Sequence, residues 1–162
     1  MSLPQEIKAL FESRTGRGVL GQRVAKPNVS FGAGAGVRTT LFTIAGGEIY
    51  TRCIYCVCVT AAAAGAQAVQ FDWTPGVATG PSVMDNGVGD INGLVTGAVI
   101  APQGDIALPA VVAGPLTAGP TFSRPWVCKV GTIGITCAGA FDHGDWDCIM
   151  FYVPLTIGAA VT

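Results

Sequence analysis

The stretch RTTLFTIAGGEIYTRCIYCVCVT, Arg38 to Thr60, decides the fold class. Two runs rich in β-branched and aromatic residues flank Ala45-Gly46-Gly47. Glycine reaches the positive φ values that tight turns need, so a Gly-Gly step between such runs is a hairpin signal. Strict alternation after the turn puts Ile49, Thr51, Cys53, Tyr55 and Val57 on one face, and Tyr50, Arg52, Ile54, Cys56 and Cys58 on the other. Arg52 is the one charge in that run, so both faces read as substantially buried. The expectation is a central hairpin in an all-β domain.

Working outward, strand signals recur at short intervals. Ala68–Trp73 alternates and stops at Pro75, and Gly93–Ile100 and Ile106–Val112 are apolar candidates. Arg124–Val130, Thr132–Cys137 and Trp146–Val153 follow, the last two linked by AGAFDHGD. Roughly eight short strands with turn residues between them predict a β-sandwich or jelly-roll-like single domain. Glycine and proline spread along the chain, 23 and 10 of 162 residues, argue the same way and against long helices.

The N-terminal part reads differently. Ser2-Leu3-Pro4-Gln5-Glu6 is a helix start, and Ile7, Leu10 and Phe11 form a short stripe at i, i+3, i+4. Thr15–Gly36 is polar, basic and glycine-rich. Residues 1–36 are therefore expected to be an extended arm carrying one short helix, and residues 37–162 the body. Lys8, Arg14, Arg17, Arg23, Lys26 and Arg38 against Glu6 and Glu12 give residues 1–38 a balance of +4; the remainder carries −5. A basic arm suits an acidic protein surface; with one aromatic, Phe11, and no Lys/Arg run, nucleic acid is the weaker partner.

Half of the residues are hydrophobic and only 12% are charged, with a mean hydropathy of +0.52. A soluble monomer would show about a quarter charged surface or more, so either a membrane or other protein covers much of this one. Cys53–Phe71 is uncharged over 19 residues, but its second half is AAAAGAQAVQ; Ile106–Ser123 carries three helix-breaking prolines. Coverage by protein is the favoured reading. The opening residues lack the apolar centre of a secretory signal.

Three constellations invite chemical readings. Cys53, Cys56, Cys58, Cys128, Cys137 and Cys148 include a Cys-x-x-Cys, yet on one strand residues 53 and 56 stand about 10 Å apart and face opposite ways. That suits neither a direct disulfide nor a zinc knuckle. Buried thiols, or disulfides between neighbouring strands or subunits, are the readings kept. FDHGDWD sets His143, the one histidine, beside Asp142, Asp145 and Asp147; a polar inter-strand loop accounts for it better than a general base or metal. Asp85–Gly93 looks oxygen-rich but misses the ladder and closing glutamate of a calcium loop, and reads as a turn. No cofactor, metal or enzyme activity is implied.

RTTLFTIAGGEIYTRCIYCVCV resembles an opening segment common in small structural proteins of tailed bacteriophages. SVMDNGVGDINGLVTGAV is similar to their middle section. GTIGITCAGAFDHGDWDCIMFYVPLTIGAAVT resembles their closing strands, except that acids rather than a basic residue flank Trp146. The resemblance covers residues 37–162 and implies a virion structural protein, assembled in the host cytoplasm. The expected role is a capsid decoration (cement) protein: a homotrimer bound to the major capsid protein or other virion proteins, without a membrane. Lys8, Phe11, Arg14, Arg17, Arg23 and Lys26 would anchor it. A tail, neck or fibre-attachment protein is the alternative. A carbohydrate- or receptor-binding module using Trp73, Trp126 or Trp146 on an exposed face is the second.

Overall fold

The computed structural model describes residues 21–32, 34–61, 68–77, 82–84, 89–102, 111–113, 125–139 and 142–162. In chain order their strands are β1 (Gln22–Ser30), β2 (Val37–Ala45), β3 (Ile49–Thr60), β4 (Ala68–Pro75), β5 (Ser82–Val83) and β6 (Gly89–Asp90). They continue as β7 (Val99–Ala101), β8 (Val111–Ala113), β9 (Trp126–Cys128), β10 (Gly131–Cys137), β11 (Asp145–Pro154) and β12 (Ala160–Val161). Among the described residues the fold is all-β, as expected. The first sheet runs β1-β11-β3-β7-β8 with β9 also on β3; the second runs β12-β2-β10-β4-β5 with β6 also on β4. Every pairing is antiparallel.

One core lies between them. From the first sheet it takes Ile54, Cys56, Trp146, Cys148 and Met150; from the second, Phe42, Val69, Phe71, Ile133 and Ile135. Phe31 stacks on Trp146 with centroids 5.3 Å apart and planes 4° from parallel. Both rings are fully buried, which fastens the β1–β2 connection to the first sheet.

The Gly-Gly step is not a hairpin. β2 pairs with β10 and β12, whereas β3 pairs with β11, β7 and β9, so the turn carries the chain from one sheet to the other. Ile44 and Ile49, either side of it, both enter the core. Gly46 has φ 73°, and a Cβ there would strike the Gly158 carbonyl oxygen. Positive φ and close approach are what the glycines signalled; those needs are common to hairpins and to turns between sheets.

Alternation along β3 also breaks. Thr51 lies opposite Tyr152 and Cys53 opposite Phe151, leaving Arg52 as an extra residue. This bulge reverses the phase, so the inward set is Ile49 and Thr51 before it and Ile54, Cys56 and Cys58 after it. β2 does likewise: Phe42 and Thr40 pair with the successive residues Ile133 and Gly134, and Leu41 and Phe42 are both buried.

Part of the expected arm belongs to the first sheet. β1, inside the expected arm, pairs along β11 from Gln22 opposite Tyr152 to Ser30 opposite Asp145. Its register shifts between Lys26 and Val29, where Pro27 offers no N–H and Asn28 has φ 51°. The short helix expected within residues 1–13 lies outside the described residues. Of Gly93–Ile100, only Val99 and Ile100 are in a strand; Gly93 and Gly97, at φ 69° and 89°, turn the chain first.

Candidate interaction surfaces

The residues singled out from the sequence do not converge on one place. All six cysteines are buried free thiols. Five point into the core with 0–1% exposure, and Cys53, at the β3 bulge, sits beside the outer face at 9%. Cys56 and Cys148 are direct cross-strand neighbours in thiol contact, with Cys137 of the second sheet nearby; burial and these neighbours push the Cys56 thiol well up. Burial alone pushes Cys128 and Cys137 up to about 12. Such thiols are poor nucleophiles.

His143 is also enclosed. Its Nδ1 lies 3.0 Å from the Phe31 carbonyl oxygen and 2.8 Å from that of Gly32. Both are acceptors, so Nδ1 carries the proton and donates. The His143 carbonyl accepts from Trp146 Nε1 at 2.8 Å, making the residue a clamp between two chain connections. Asp142 accepts from its own loop at Gly144 N, and Asp147 accepts from Asn28 N on β1. Among the described residues no three His, Cys, Asp or Glu side chains form a metal-binding group.

Trp146 is fully buried, and Trp73 and Trp126 pack against the core. Trp146 thus offers no exposed face for sugar stacking, and Trp73 and Trp126 are half-buried. Of the anchoring residues, Lys8, Phe11, Arg14 and Arg17 lie outside the described residues. Arg23 is exposed on β1, and Lys26 is half-buried opposite Cys148.

Two apolar surfaces emerge instead. The first is at the end of the body where the chain passes between sheets. The 46–48 turn meets the 155–158 loop: Leu155 N donates to the Glu48 carbonyl at 2.9 Å, and Glu48 N to Thr156 Oγ1 at 3.1 Å. Beside them lies a groove of ≈ 550 Å³ lined by Gly47, Glu48, Pro75, Val77, Lys129 and Val130. Ile157 is fully exposed and Val77 is 88% exposed, with Leu155, Val127 and Val130 about half exposed. Gly21 packs against Tyr152 and Val153 near this end.

The second surface is the outer face of the first sheet. On β11 the inward Trp146, Cys148, Met150 and Tyr152 alternate with Ile149, Phe151 and Val153, which are half-buried and point outward. Register sets Ile149 beside Tyr55, Phe151 beside Cys53, and Val153 beside Tyr50. The Arg52 guanidinium stands 5.7 Å from the Tyr50 ring centroid. Burial pushes the Tyr55 hydroxyl up; nearby Cys53 adds to this and Arg23 opposes it.

Neither surface was expected as such, although the signal for the second was present. From Cys148 to Val153 both phases of the strand are apolar, CIMFYV, where a solvated face would alternate polar residues. The exposed end left no pattern, because Val77 and Ile157 are single residues in turns. No family model, curated protein or solved structure matches this chain.

Proposed function

We infer that this protein is a structural subunit of a tailed-bacteriophage virion, of the capsid decoration (cement) type, whose two sheets form a β-sandwich. The reading starts from the sequence resemblance, and one structural observation carries it further: the concentration of Val77, Val130, Leu155 and Ile157 at one end of the body. Large apolar side chains held in water at turn tips are unfavourable until a partner covers them. The Glu48–Lys129 pair, 3.7 Å apart beside the groove, gives that end a polar rim. The basic arm, with Lys8, Phe11, Arg14 and Arg17, would extend the contact onto the capsid lattice. A subunit that binds only the assembled shell stabilises it by mass action. Tail, neck or fibre attachment uses the same surface at lower copy number.

The test is co-sedimentation with phage heads lacking the protein, together with its copy number in purified particles. Val77→Asp/Ile157→Asp and a chain lacking residues 2–20 are expected to stay folded by circular dichroism and to lose head binding. Binding unchanged in both would overturn the decoration role. A copy number of a dozen or fewer, rather than hundreds, would move the protein to the neck or tail.

A further inference from the structure

The outer face of the first sheet carries two arginines and two aspartates set apart along the strands, with Tyr50 and Val153 beyond the arginines. Arg23, opposite Phe151, and Arg52, at the β3 bulge, are exposed toward the C-terminal half of β11. Asp147, beside Val57, and Asp145, opposite Ser30 and Thr60, lie at its start. Four to six residues of strand separate Phe151 from the two aspartates, about 14–20 Å at ~3.4 Å per residue. Between the two charged levels lie Tyr55 and Ile149, with Phe151 level with Arg23 and Val57 level with Asp147, all four half-buried.

We propose that this face packs against the same face of a second copy, about a twofold axis lying in the interface and perpendicular to the strands. That operation turns the partner end for end, so Arg23 and Arg52 of each copy meet the acidic end of the other. A twofold axis parallel to the strands would set like charges together. A face carrying both halves of a charge pattern, separated along one direction, is self-complementary, which is what a twofold interface requires. The size is adequate: β1, β11 and β3 over about eight residues each, with the three-residue β7 and β9 along the other edge of β3, cover roughly 500 Å² per copy at ~4.8 Å strand spacing. About 1,000 Å² in total is near the lower bound for a specific interface. The arrangement gives an even-numbered assembly instead of a trimer. It uses a different surface from the exposed end, so it stands or falls independently of the decoration role.

Sedimentation velocity on the full chain over a micromolar to hundred-micromolar range tests it. The wild type is expected to form dimers. Two variants, Arg23→Asp/Arg52→Asp and Asp145→Lys/Asp147→Lys, should each weaken dimerisation by about tenfold or more. Mixed in equal amounts they should pair with one another, one acidic face on one basic face, seen by native mass spectrometry as a heterodimer. Ile149→Ser, which changes no charge, should also give monomer and covers the case in which a reversed variant fails to fold. A wild type monomeric at every concentration, a trimer indifferent to charge reversal, or folded variants that do not pair on mixing would each overturn the proposal.

Discussion

The two sheets share one core but end differently on their outer sides. Thr43, Thr74, Thr132, Thr136 and Gln70 point outward from the second sheet, and Arg38 lies flat across Gly134. Its Nε reaches Asp72 Oδ1 at 2.6 Å and its Nη2 reaches the Thr132 carbonyl at 3.1 Å, while Thr136 Oγ1 donates to Asp72 Oδ2 at 3.3 Å. Asp72, 3% exposed, is thus satisfied from two strands. A side chain at Gly134 would occupy the guanidinium's place and push it off Asp72. The first sheet presents Tyr50, Tyr55, Ile149, Phe151 and Val153 in the equivalent positions. Polar-out alternation is the usual finish of a sheet facing water. The second sheet has that finish within its own chain; the first leaves apolar area for something else to cover.

The largest expected effect acts beneath both faces and provides the baseline. Cys128 in the first sheet and Cys137 in the second have thiols raised to about 12 from an ordinary 9.0. The unfolded chain therefore loses these protons first as pH rises. Stability is fully present below pH 9 and falls between about pH 9 and 12, by ~1.4 kcal/mol per pH unit per thiol. Urea titrations at stepped pH should show the decline, and equal stability at pH 8.5 and 10.5 would contradict it.

Next in size is Arg38→Ala, which strands a buried carboxylate under the second sheet's polar face. It should cost about 3 kcal/mol, since removing one partner of a buried pair leaves the other uncompensated. Solution mass should not change, and a mass change would erase the contrast between the faces. Tyr55→Ser, on the first sheet, should do the reverse, with unfolding free energy shifting by ~1 kcal/mol or less and self-association lost. If it instead melts the protein, that face is part of the fold. Thr136→Ser keeps the hydroxyl on Asp72 and should change stability by under ~0.5 kcal/mol and mass not at all.

Much of this could be read from the chain, and the misses share a cause. Strand identity was legible because β-branched and aromatic runs end at glycine and proline, as at Trp73-Thr74-Pro75-Gly76. Sheet membership was not, since Gly46-Gly47 encodes a turn but not which strand each arm will pair with. Register was lost wherever a bulge intervened, because Arg52 and Leu41 look like ordinary members of alternating runs. The strand at Gln22–Ser30 was hidden by Pro27 and Asn28 in its middle, which read as loop. The cysteines drew attention through their spacing, whereas their surroundings are those of small core residues. The outer face of the first sheet was half visible, in that apolar residues in both phases announced two covered sides without saying by what.

The central claim is that the first sheet's outer face is covered in the working assembly while the second's stays in water. Hydroxyl-radical footprinting of the full chain, read residue by residue across a range of concentrations, tests it directly. Tyr50, Tyr55, Ile149 and Phe151 should become protected as concentration rises, with Thr40, Thr43 and Thr132 labelled equally throughout. Labelling of the first group that is unchanged by concentration, or protection of the second group instead, would contradict the account.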